Sequence, residues 1–281
     1  MSTWFTAVVV VLLMAGCGSS PTRPSPAPIT PAPTHITVSG TITNTSTGAA
    51  VGSFSQEVHG LPAFVTVAAD GFLSRETWIH SQTPTVDLIR DAAPFDLAFY
   101  RLFARNTTEP LRTLAQAPSI YFHTAGLSTA QIVASERRAR AIVHHLTGGT
   151  LSVAAWETGL EPRAVRNDWI TVALVQEPDA PWCGRARTGA IIGEIELNRA
   201  AMCDRPLEDT FAHELGHALG FAHVPDLDAL MNTGRPRGIG LPSSRELYHA
   251  AIAYRRPRGN MDIDRDPRAG SMLSAGAMVL D

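Results

Sequence analysis

Residues 213–223 read His-Glu-Leu-Gly-His-Ala-Leu-Gly-Phe-Ala-His, and the rest of the chain is read outward from them. His213 and His217 stand at i and i+4, so on a helix both imidazoles project from one face. Two ring nitrogens placed this way reach a single zinc ion at about 2.0–2.1 Å. Glu214 follows His213 directly and points off the metal axis, towards water in the open coordination position. Gly220 lies three residues past His217 and can end the helix with a positive φ. The chain then turns and brings His223 back as a third ligand. Three neutral nitrogens leave one position for water, which is the catalytic rather than the structural arrangement of zinc.

The flanks fit a helix through this stretch. Asp204 or Arg205 with Pro206 makes an acceptable start, and Glu208 and Asp209 suit the positive end of the helix dipole. Downstream, Ser243-Ser244-Arg245-Glu246 is a capping box opening a closing helix that runs through Tyr254 and stops at Pro257. His249, Tyr248 and Tyr254 on that helix read as packing residues.

Upstream, from about Phe95, the pattern mixes α and β. Ser119–Phe122 reads as a strand. Ser128-Thr129-Ala130-Gln131 is another capping box, opening a helix that Gly148-Gly149 stops. His144 and His145 on its last turn suit the negative helix end. Leu151–Trp156, Ile170–Val175 and a pair or one bent strand over Ala190–Leu197 complete the expectation of a twisted sheet with a helix packed on it.

The combination HExxHxxGxxH resembles the signature of the metzincin zinc endopeptidases, which is followed by a Met-turn. Met231, in Asp228-Ala229-Leu230-Met231, is the Met-turn residue by this resemblance, and its spacing from His223 is similar to that of the matrixin branch. Val224 departs from the matrixin pattern, in which Ser is usual, and Thr233 stands where some metzincins carry a Tyr. The resemblance covers roughly Phe95–Pro267. It implies an α+β fold with a metzincin-type twisted mixed sheet and an active-site helix. It also implies one catalytic Zn2+ on His213, His217 and His223, with Glu214 as general base in hydrolysis of a protein or peptide substrate. The region around Arg185–Ile192 would be the sheet edge that pairs with substrate, and Asn232–Pro242 would wall the pocket beyond the scissile bond. Two alternatives are kept: a surface binding or adhesion lipoprotein with an inactive scaffold, and a zinc hydrolase of a non-protein amide bond. Asp262–Asp266 resembles the start of a calcium loop, but Pro267 and Leu273 replace the Gly and Glu an EF-hand needs. A looser Ca2+ site is the only calcium alternative left there.

The N-terminus is of another kind. Trp4–Ala15 is an apolar run, and its twelve residues rise only about 18 Å as a helix, short of a bilayer core. It reads as the apolar part of a signal peptide, residues 1–16. Leu13-Met14-Ala15-Gly16-Cys17 resembles a bacterial lipobox. That resemblance implies lipidation of Cys17, export, and anchoring to the bacterial membrane, the outer one by the Gly that follows. Residues 17–34 are a proline-rich tether. Residues 35–92 carry short β-branched runs and turn clusters, among them Asn44–Gly48 and Asp70-Gly71. They predict a small antiparallel β-sandwich and resemble the carboxypeptidase-regulatory-like β module. Residues 93–281 would be the protease body, with no readable element in the tail from about Ala269.

Charge and cysteines close the reading. With 23 Lys+Arg against 26 Asp+Glu the net charge is −3, so there is no nucleic-acid footprint. Oligomeric state is not readable. Of the three cysteines, lipidated Cys17 leaves Cys183 and Cys203 to pair as a disulfide in an oxidising compartment.

Overall fold

The computed structural model of the protein describes residues 35–164, 166, 169–188, 193–200, 206–232, 240–268 and 278–280. The expected signal peptide, Cys17, the tether, Cys203, Asp204, Arg205 and Thr233 lie outside these residues. The fold mixes α and β, with four helices and three sheets among the described residues.

The first part is β. Strand β1 (Ile36–Asn44) pairs antiparallel with β2 (Ala50–Val58) across the turn at Gly48. Strands β3 (Ala63–Val67) and β4 (Arg75–Ile79) form a second antiparallel pair. The expectation of an all-antiparallel sandwich needs correcting at β5 (Thr85–Leu88), which lies alongside β1 in parallel. The chain leaves the first sheet, forms the β3–β4 pair and returns, and such a crossover favours a parallel neighbour. Both sheets share one apolar core that includes Val38, Ile42, Val65, Val67, Ile79 and Leu88.

Helix α1 (Leu97–Arg105) follows, with Asp96 as its N-cap accepting from Phe99 N. A six-stranded mixed sheet comes next. Its strands are β6 (Ser119–His123), β7 (Ala155–Gly159), β8 (Trp169–Val175), β9 (Gly184–Thr188), β10 (Gly193–Asn198) and β11 (Met278–Leu280). Their order across the sheet is β11-β9-β10-β8-β6-β7. Strands β7, β6, β8 and β10 run parallel, whereas β9 is antiparallel to β10 and β11 is antiparallel to β9. The near-continuous apolar runs of β6 and β8 suit parallel strands covered on both faces.

Helix α2 (Thr129–Leu146) carries the expected Ser128–Gln131 capping box. Helix α3 (Leu207–Ala218) packs on α2, β9 and β10, and α4 (Ser244–Ala253) packs on α1 and α2. One large core joins these elements. In it Phe122 stacks on Trp156 at 5.3 Å and meets Phe211 of α3 edge-on at 5.0 Å.

Two strand positions differ from expectation. Residues 151–154 are not strand: Leu151 N donates to Thr147 Oγ1 at 3.0 Å, tying the segment to the end of α2, and β7 begins only at Ala155. The outer pair also starts earlier than expected, with β9 at Gly184. Among the described residues no helix is long and apolar enough to cross a membrane.

Candidate metal centre

Helix α3 is enclosed, with ten of its twelve residues buried. Burial on every side means its polar residues face protein rather than bulk water, and such groups need partners. Asp209 has one in Arg138 of α2, at 2.8 Å. Thr210, His213, Glu214 and His217 are the other buried ones, and the chain beyond the helix returns to meet the two histidines.

That return is built by short contacts. Gly220 takes φ +102°, and a Cβ there would lie 2.8 Å from the carbonyl carbon of Arg112. Gly220 N and Phe221 N donate to His217 O and Gly216 O at 2.9 and 3.1 Å. Ala222 N then donates to Phe103 O at 2.7 Å, and the Phe103 and Phe221 rings stack 4.4 Å apart. The end of α1 thereby anchors the residue before His223. Sequence reasoning overlooked α1, although Phe99, Tyr100, Phe103 and Ala104 recur at helical spacing behind the N-cap Asp96.

The three imidazoles meet as expected. His223 Nε2 lies 3.0 Å from His213 Nε2 and 3.1 Å from His217 Nε2. Among the described residues this trio is the one group of His, Cys, Asp or Glu placed to hold a metal ion. The far nitrogens are occupied by backbone: His213 Nδ1 donates to Leu230 O at 2.6 Å, and His217 Nδ1 to Phe221 O at 2.7 Å. A carbonyl can only accept, so both Nδ1 atoms carry hydrogen, and each neutral ring keeps its Nε2 lone pair towards the centre. Burial holds the pKa of His217 well below the ordinary histidine value, and His213 and His223 push it the same way.

This arrangement tests whether a metal fits. His223 Nε2 carries at most one hydrogen, so it can donate to only one of its two neighbours. The other neighbour's lone pair then faces a nitrogen with no hydrogen left to offer it, which a cation relieves. Tetrahedral ligands at zinc–nitrogen distances would stand about 3.3 Å apart, close to the spacings seen. The donor set therefore fits a divalent metal bound by imidazole.

Glu214 is 3% exposed and lies under β9. A Cβ on Gly184, the first residue of β9, would lie 2.7 Å from Glu214 Cγ and Oε1. Strand β9 thus begins directly over the glutamate, a long-range fit that no local motif reveals.

The segment carrying Met231 completes the surroundings. Met231 is fully buried, and its sulfur sits where a side chain on Gly216 would otherwise point. Val224 N donates to Met231 O at 2.8 Å, closing the turn. Glu246, read from sequence only as a capping residue, reaches across from α4. Its carboxylate accepts from Leu230 N at 2.9 Å, Met231 N at 2.8 Å and Ser243 N at 2.7 Å. Burial raises its pKa, and these three amides partly offset the rise. Glu246 therefore fixes the turn whose Leu230 carbonyl orients His213.

Cys183 is disulfide-bonded, while its expected partner Cys203 is outside the described residues. So are residues 233–239 of the expected pocket wall. Tyr254 donates to Leu219 O at 2.9 Å, and His249 lies between Asp96 N and Arg245 O, so both serve packing. The calcium alternative is corrected: Asp262 pairs with Arg101, Asp264 with Arg256 and Asp266 with Arg75. Arginines take the carboxylates that calcium would need.

No family model matches the chain, and no curated protein matches it either.

Proposed function

We propose that the protein is a zinc-dependent endopeptidase of metzincin type, matrixin-like, exported and lipid-anchored through Cys17. The observation that carries this reading is the convergence of three Nε2 atoms, 3.0 and 3.1 Å apart, with two of the rings locked by backbone carbonyls and Glu214 buried on the same helix. A merely structural site has no use for a buried carboxylate on the helix that carries two of its ligands. A bound zinc ion supplies Lewis-acid activation of water and of a scissile carbonyl. His213, His217 and His223 hold that ion, and the carbonyls of Leu230 and Phe221 orient two of them. Glu214 takes the proton of the attacking water and returns it to the leaving amine. The edge of β9, which begins over Glu214, offers main-chain groups to an extended substrate.

The test is Glu214→Ala in the purified protein. Hydrolysis of labelled casein should fall about 100- to 10,000-fold, the usual worth of a general base, while one zinc per chain is retained by elemental analysis. Equal hydrolysis by both proteins would overturn the reading. Peptidoglycan digested in parallel separates peptide-bond cleavage in proteins from cleavage of a cell-wall amide.

A further inference from the structure

Strand β9 would be the outermost strand of the large sheet were it not for residues 278–280. Strand β11 pairs with it antiparallel, Met278 opposite Thr188, Val279 opposite Arg187 and Leu280 opposite Ala186. The register runs towards Gly184, the end of β9 that lies over Glu214. The chain's own strand therefore covers the outer edge of β9 and advances towards the metal centre.

Main-chain donors and acceptors on one strand edge serve one neighbour at a time. We propose that β11 is a built-in competitor for the substrate edge, which an extended substrate must displace before it can be cleaved. This rests on the peptidase reading above and adds its regulation. The pairing spans three residues, so it is a weak brake that substrate overcomes. Being tethered, the strand acts at an effective concentration of about millimolar, the range for a short link. The expected consequence is a raised KM with little change in kcat.

The test uses the full chain and the double variant Val279→Pro/Leu280→Pro. Proline donates no backbone hydrogen bond, and of two adjacent strand residues one points its N–H at the partner, so the pairing is broken in either phase. KM for labelled casein should fall about three- to ten-fold, with kcat within about two-fold. Amide hydrogen exchange at 186–188, the residues β11 pairs with, should speed up in the variant. In the parent, a saturating casein-derived peptide should release protection at 278–280 while keeping it at 184–188. An unchanged KM together with that faster exchange would show that the β11 pairing does not compete with substrate and would overturn the proposal. Unchanged exchange in the variant would overturn it as well. Hydrolysis that survives Glu214→Ala would instead overturn the peptidase reading, and the exchange data would still decide whether 278–280 yields the β9 edge to a peptide.

Discussion

At position 184 a Cβ would come within 2.7 Å of Glu214 Cγ and Oε1 and 2.9 Å of its Cδ. Contacts this close force something to move, and the carboxylate is the more mobile partner. Gly184→Ala should therefore displace Glu214 by a fraction of an ångström while leaving the histidines untouched. On the proposed peptidase reading, misplacing a catalytic group by about 1 Å costs around 100-fold, so casein hydrolysis should fall about 10- to 100-fold at unchanged zinc stoichiometry. Activity within two-fold of the parent would show that the glutamate has room to spare. The residues of the trio are legible in the sequence because their spacing is local to one helix and one turn. Gly184 is not, because its role depends on a helix residue thirty positions away in the chain, and nothing around Cys183–Arg187 hints at that neighbour.

Helix α4 shows the same limit at the level of elements. The Ser243–Glu246 capping box is plain in the sequence and present in the structure. That the same carboxylate also holds Leu230 N and Met231 N follows only from how α4 docks. Glu246→Gln keeps the shape but turns one acceptor into an amide donor, facing either Met231 N or the pair Leu230 N and Ser243 N. One buried N–H then faces another donor, which costs about 1–3 kcal/mol. The carbonyl that orients His213 loosens with it, and disturbed outer-shell partners typically cost about 10- to 100-fold in metal affinity. Urea unfolding and titration against a competing chelator measure the two effects, and unchanged zinc affinity would separate the turn from the metal centre. Other elements were readable to different degrees. Strands β6 and β8 stand out as continuous apolar runs. By contrast, β7 is displaced to Ala155 because the apolar Leu151 and Val153 fill the core as connection rather than as strand. The three residues of β11 give too short a pattern to stand out, and only pairing with β9 defines them.

At the scale of the whole molecule, the described residues from His35 onward form one compact unit, and charge joins the β part to the α+β body. Arg256, whose side chain is fully buried, pairs with Asp264 at 2.7 Å and with Asp87 of β5 at 2.5 Å. Arg75 of β4 bridges Asp87 at 2.6 Å and Asp266 at 2.9 Å, and Arg255 donates to Thr45 O. Burial disfavours the charge on Arg256, but Asp264 and Asp87 outweigh it and keep the guanidinium charged. Burial likewise pushes Asp87 up, yet Arg256 and Arg75 outweigh it and hold its pKa below the ordinary 3.8. The unfolded chain therefore binds a proton at Asp87 at higher pH than the folded chain does. The stability this carboxylate contributes is present above about 3.8 and drains away as pH falls through the lowered folded value. Glu246 acts in the opposite sense: its raised pKa makes stability fall as pH climbs past the ordinary 4.5. The total pH profile mixes the two, but the difference between the parent and Asp87→Asn cancels Glu246 and isolates Asp87. Urea midpoints should lie lower for Asp87→Asn at pH 6, where the variant leaves Arg256 and Arg75 without one of their anions. The gap should narrow steadily as the pH drops below about 4. A gap that stays constant from pH 6 to pH 3 would mean that Asp87 holds the two parts together by shape and neutral hydrogen bonds, with no share carried by its charge.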